Sequence, residues 1–211
     1  MASNRRIEAT IFDHGLKRIA GADEAGRGAC AGPLVAAAVA LDEGSIEAIA
    51  SRLDISRGLD SKAFSETARE EVYEIVVASV LEHSVVVISA SEIDEHGLQA
   101  MNLAALRRAI SQLKTPLDYV LTDGYPIKGL ELPSLAVWKG DAVSIAVGSA
   151  SIIAKVTRDR IMVGLEDSYP GYGFASHKGY SSPSHMEAIE RLGVTEVHRL
   201  SYANVSRIAS R

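Results

Sequence analysis

The chain has 211 residues, 47% of them apolar and 23% charged, which is enough to enclose one hydrophobic core and far from the composition of a disordered or fibrous protein. A net charge of −5 excludes a protein that holds polyanions by bulk charge alone, and a lone cysteine, Cys30, excludes an internal disulfide. No run approaches about 18 apolar residues and the N-terminal stretch has no signal-peptide core, so a cytoplasmic protein without a membrane span is expected.

Charge is unevenly spread. Residues 1–138 carry 13 Lys/Arg against 20 Asp/Glu, whereas residues 139–211 carry 9 against 7. A polyanion would meet less repulsion from the second part.

In chain order, short β-branched or alanine-rich runs bounded by turn residues predict strands at Arg18–Ala22, Leu34–Leu41, Val85–Ala90, Tyr119–Thr122 and Leu135–Trp138. Between the second and third, Val72, Ile75, Val76 and Val80 recur at helical spacing, with Thr67 and Glu70 fitting a capping box. A second helix carries Leu103, Leu106, Ile110 and Leu113 on one stripe and ends before Pro116. A third runs from Ser144 to about Leu165, and a fourth opens at a Ser184/Glu187 capping box and stops at Gly193. Cys30 reads as a small buried hydrophobe, and Trp138, inside an apolar run, as a core residue.

This order predicts an α/β or α+β domain with helices on a mixed sheet. The expected division is an N-terminal extension over 1–17 and one domain over 18–211, with a helical C-terminal part from about 144.

Four acids stand where strands run out: Asp23 and Glu24 after RIAGA, Asp123 after YVLT and Asp141 after AVWKG. Carboxylate oxygens are what Mg²⁺ or Mn²⁺ prefer, and a pair of such ions can stabilise both the attacking and the leaving oxygen of a phosphoryl displacement. Asp123-Gly124 alone is a common turn pair. Asp23-Glu24 is less easily dismissed, because adjacent like charges repel unless a cation or donors compensate them. Gly26 and Gly28 then suit close approach of another backbone.

These residues fall in GADEAGRG…AGPLVAAAV at 21–39, LDSK at 59–62, LTDG at 121–124, KGD at 139–141, SASIIAKVTRDR at 149–160 and YGFASHKGY…SH at 172–185. Six blocks in this order resemble ribonuclease HII, the type 2 ribonucleases H. The resemblance implies a ribonuclease H-like fold, a mixed central sheet flanked by helices with a helical C-terminal region. It implies a metal-dependent endoribonuclease that cuts RNA paired with DNA, and single ribonucleotides embedded in duplex DNA. Cleavage on the 5′ side of the ribonucleotide would leave 3′-hydroxyl and 5′-phosphate ends.

On this resemblance Asp23, Glu24, Asp123 and Asp141 match the catalytic, metal-binding acids. Gly26, Arg27 and Gly28 match a loop whose backbone meets the 2′-hydroxyl, the group that separates RNA from DNA. Tyr180 matches a tyrosine that packs on the sugar, and Ser61 and Lys62 match a motif that contacts the nucleic-acid backbone. Lys155 and Arg158, three apart on the third helix, are placed to face phosphates or to pair with Asp159.

His177 and His185 read as capping or surface residues, and Arg191, Arg199, Arg207 and Arg211 as support for the duplex. Ser149 and Ser181 depart from the family pattern, which bears on helix packing and loop detail. Two-metal hydrolysis with Mn²⁺ or Mg²⁺ by a monomer is the expected mechanism. The alternatives are a type 3 ribonuclease H, which carries a further N-terminal substrate-binding domain where about 17 residues precede the first strand here, and a catalytically silent nucleic-acid-binding module that kept the fold.

Overall fold

The computed structural model describes residues 7–55 and 58–210. Its elements in order are α1 (Ile7–Asp13), β1 (Ile19–Ala25), β2 (Leu34–Leu41), α2 (Glu43–Ala50), α3 (Glu66–Ser79), β3 (Glu82–Ile88), α4 (Ala90–His96) and α5 (Leu98–Gln112). There follow β4 (Tyr119–Asp123), β5 (Ser134–Val137), α6 (Gly140–Val143), α7 (Ile145–Ser168), α8 (Phe174–His177), α9 (Pro183–Leu192) and α10 (Ala203–Ala209).

The five strands form one mixed sheet in the order β3-β2-β1-β4-β5. β1 pairs antiparallel with β2 and parallel with β4, so three neighbouring strands meet around the acids. β4 runs parallel to β5 with Asp123 opposite Val137.

Helices cover both faces, which explains why β2, LVAAAVAL, is buried at every position. Its residues divide by the two-residue period of a strand. Ala37, Val39 and Leu41 join the core under α7, while Leu34, Ala36 and Ala38 join the core under α5. Small residues let α7 lie close on β1: a Cβ on Gly21 would stand 2.1 Å from the Ala146 carbonyl carbon. A third core under the C-terminal helices gathers Met162, Tyr172, Phe174 and Ile189.

The five predicted strands are present within a few residues. Two helix caps differ from those expected. α3 is capped by Ser65, whose side chain accepts from Ala68 N–H, and not by Thr67. α9 is capped by Ser182, with Pro183 in its first turn, and not by Ser184. Trp138 is 80% exposed and not in the core; it follows an edge strand whose residues are exposed or half-buried. Cys30 is buried as expected. Residues 7–13, expected within the extension, form α1, where buried Glu8 accepts from Ser144 Oγ at 2.6 Å and Ala146 N–H at 3.1 Å.

Candidate active site

The four acids come from three segments. Asp23 and Glu24 lie just before Ala25, the last residue of β1, the middle strand, and Asp123 is the last residue of β4 beside it. Asp141 lies in α6, reached through a reversal at Lys139, which adopts a left-handed φ of 54°. Gly140 makes that reversal fit: its N–H donates to Asp123 Oδ1 at 2.7 Å, and a Cβ there would stand 2.8 Å from Val147 Cγ1.

Strand pleat resolves the adjacency of Asp23 and Glu24. Successive side chains leave a strand on opposite faces, so Asp23 turns toward α7 and Glu24 toward α5. Ser151 of α7 lowers the Asp23 pKa, and Asn102 of α5, buried with neither amide atom hydrogen-bonded, lowers that of Glu24, both against the larger effect of burial. Ser151 Oγ also lies 3.0 Å from Ser61 Oγ, tying the 59–62 loop to the same wall.

Burial raises the Asp23 pKa well above the usual carboxylate range, with further increments from Glu24 and Asp123. Burial likewise pushes Glu24 to about 7, Asp123 adding to the rise while Arg27, Asn102 and Lys62 oppose it. Asp141 is raised by burial and by Asp123 and Asp60. These are carboxylates short of positive charge. Among the described residues no three His, Cys, Asp or Glu side chains are grouped closely enough to form a ready-made ion cage.

One cleft of about 580 Å³ collects the site. Its walls are Asp23, Glu24, Ala25, Gly26, Arg27, Gly28, Ser61, Lys62, Asp123, Asp141, Ser151, Lys155 and Tyr180. It opens at the C-terminal ends of β1 and β4, the usual ligand position for parallel strands. A hollow of about 660 Å³ beside Phe12, Arg18 and Asp118 lies at the other end of these strands. There Asp118 is occupied by the N–H groups of Lys17 and Arg18.

The two glycines of the loop differ. Gly26 has φ +87°, and a Cβ there would stand 1.9 Å from Arg158 Nε, so the fold itself requires glycine. Gly28 is exposed, and a Cβ added there would have no atom within 4 Å, so only a ligand would feel a side chain at this position. Between them Arg27 turns aside to the Tyr125 hydroxyl and to Gln99 Oε1, at 2.8 Å, with its guanidinium 4.7 Å from the Tyr125 ring.

Tyr180 is 39% exposed, with Lys155 Nζ 5.9 Å from its ring centroid and the Arg158 guanidinium 5.3 Å away. Lys155 both lines the cleft and pairs with Asp159 at 2.7 Å. Arg158 is buried, donating to the carbonyls of Pro33 and Ala31, and cannot face phosphates.

Arg199 is also buried and braces the loop through the carbonyls of Gly32 and Arg27, which corrects its expected role on the duplex. Arg191 and Arg207 are exposed, and Arg211 lies outside the described residues. His185 is buried and His177 half-buried, their rings stacked 4.2 Å apart, contrary to a surface placement. Sequence reasoning missed Asn102, Tyr125 and Gln99, and gave Ser151 no role, because each lies far along the chain from the acid or loop that it serves.

A mixed sheet with helices on both faces and acids converging at its strand ends defines a ribonuclease H-like protein. The family model for ribonuclease HII matches residues 20–205. The chain is 52% identical to ribonuclease HII of Salinispora arenicola (strain CNS-205) over 205 residues, which are 97% of this chain and 74% of that relative. It superposes on the crystal structure of ribonuclease H2 from Pyrococcus horikoshii OT3 with a TM-score of 0.78 and 28% identity, covering 92% of this chain and 98% of that one. The Bst ribonuclease HIII solved in complex with Mn²⁺ matches with a TM-score of 0.74 but 20% identity, covering 92% and 70%, a likeness of fold alone. The chain belongs to the ribonuclease HII family and is an endoribonuclease. No helix among the described residues is long and apolar enough to cross a membrane.

Proposed function

We propose that this protein hydrolyses the RNA strand of RNA/DNA hybrids, and single ribonucleotides embedded in duplex DNA, in a reaction dependent on Mg²⁺ or Mn²⁺. It cuts on the 5′ side of the ribonucleotide and leaves 3′-hydroxyl and 5′-phosphate ends, acting in the cytoplasm as a monomer of one domain. The observation that carries this reading is the single cleft: four acids from three separate segments share it with Gly26, Arg27, Gly28, Ser61, Lys62, Lys155 and Tyr180.

The residues present fit divalent cations. The donors are all carboxylate oxygens, as hard cations prefer; Asp23 is buried, the other three acids are half-buried, and Glu24 Oε2 is buried with no hydrogen-bond partner. Asp23, Glu24, Asp123 and Asp141 would hold the ions. When bound, such ions acidify water and neutralise charge gathering on the phosphodiester oxygens.

The protein's own groups do the rest. The N–H groups of Gly140 and Glu24, each at 2.7 Å, fix the orientation of Asp123 and Asp23. Gly28 offers a backbone edge that no side chain obstructs, as recognition of a 2′-hydroxyl requires. Exposed Lys62 stands at the rim for a phosphate, while Ser61 is buried with its hydroxyl on Ser151 and lines the cleft wall behind it. Tyr180, 39% exposed with Lys155 and Arg158 beside its ring, presents that ring to a sugar.

The test is a duplex DNA with one ribonucleotide, incubated with Mg²⁺ beside an all-DNA control. Incision at the ribonucleotide should give a 3′ end that a polymerase extends and a 5′ end that ligase accepts. Cutting of the all-DNA control at an equal rate would sink the substrate assignment.

A further inference from the structure

Trp138 is the most exposed large apolar side chain among the described residues, and the sequence holds no other tryptophan. Its position is built. β5 ends at Val137, beside Asp123 of β4, and Asp141 follows three residues after Trp138.

Between them Lys139 takes its left-handed conformation, one that residues other than glycine adopt rarely and that clusters at functional sites. The reversal has two sides. Its inner side belongs to the acids, with buried Gly140 donating to Asp123. Its outer side presents Trp138 and exposed Lys139 to solvent.

An exposed indole beside a cation is the pairing used to hold nucleic-acid strands, the ring against a base or sugar face and the ammonium on a phosphate. The occupant follows from position: the turn that carries these side chains also delivers Asp141 to the cleft. Negative charge elsewhere in residues 1–138 makes such a local cation more useful, not less. We propose that Trp138 and Lys139 form a further nucleic-acid contact, gripping the duplex beside the acid cluster, and this rests on reading the cleft as a duplex site.

The single tryptophan is its own probe. The full chain carrying Asp123→Asn, so that the substrate stays whole, is titrated in Mg²⁺ with an RNA/DNA hybrid. Anisotropy of a fluorescein on the DNA strand follows binding, while emission excited at about 295 nm follows Trp138. The expected result is emission that falls by about half in step with the rise in anisotropy. Trp138→Ala should raise the Kd about five- to tenfold, the low end of losses for removing a stacking aromatic, and Trp138→Phe should recover most of it. Rising anisotropy with unchanged emission would overturn the contact and leave the cleft reading intact. No rise in anisotropy would overturn the cleft reading itself. Emission that shifts to the blue with protein concentration alone would show a second copy covering the ring, and the proposal would fall.

Discussion

Gly21→Ala adds one methyl group where α7 rests on β1. The new Cβ would stand 2.1 Å from the Ala146 carbonyl carbon, 2.2 Å from its oxygen and 2.6 Å from Val147 N. Ordinary contact begins at 3.4 Å, so the nearest separation must open by 1.3 Å, from 2.1 to 3.4 Å. Every obstacle is backbone, and no rotamer relieves it. Overpacking by a methylene costs about 1–3 kcal/mol where side chains can yield; here the cost should reach about 3 kcal/mol or more, a large part of a total near 5–15 kcal/mol. The same shift would part β1, which carries Asp23 and Glu24, from α7, which carries Ser151 and Lys155. A displacement of about 1 Å between positioning groups costs roughly 10²-fold in rate. Urea unfolding monitored by circular dichroism, with incision measured at a temperature where the variant is still folded, tests both parts. A loss below about 0.5 kcal/mol would show that α7 does not lie on β1 as described.

Gly28→Ala is the counterpart, since a Cβ added there meets nothing within 4 Å: the unfolding midpoint should hold while incision at a ribonucleotide drops at least about tenfold, and unchanged incision would remove Gly28 from ribose recognition. Arg158→Ala should cost at least about 3 kcal/mol, because it strands the carbonyls of Ala31 and Pro33 and leaves a cavity; a stable variant with weakened duplex affinity would restore the phosphate-facing reading. His185 and His198, with Nε2 atoms 3.3 Å apart, are both depressed to about 4 by burial. Between pH 4 and about 6.5 the unfolded chain therefore binds the extra protons, and this pair's stabilisation is complete above 6.5 and lost as pH falls toward 4. The raised acids oppose that trend, since Glu24 at about 7 favours the folded state most at low pH. Ring-proton NMR signals separate the two effects: those of His185 and His198 should stay put from pH 8 to 5, and a midpoint near 6.5 would contradict their burial.

Much of the sheet was legible because each strand is a short apolar run with a clear end, and the acids were legible because they stand at those ends. The errors share causes. Both misplaced caps lie two residues late, since a Glu three positions on drew attention to Thr67 and Ser184, whereas Ser65 and Ser182 cap through Ala68 and His185, which no capping-box pattern marks. The shift had a consequence for His185, which becomes the third residue of α9 and turns inward against Phe174 and His198. The true capping box, Ser89 with Glu92, went unread because the apolar run before it drew the strand over Ser89. Trp138 was read from its apolar neighbours, but burial depends on which strand lies at the edge, and that is settled by pairing between segments far apart in sequence. The same holds for Gly26: only the fold reveals that Arg158, more than a hundred residues away, fills the space beside it.

If the acids at these strand ends carry out the cleavage, Asp123→Asn tests it most directly, because an amide keeps the shape and the oxygen that accepts from Gly140 N–H while removing the charge. Single-turnover incision at one ribonucleotide in duplex DNA, across a Mg²⁺ titration, should fall at least about 10²-fold in the variant with no loss of thermal stability. Equal rates in the two proteins would contradict that role for the acids.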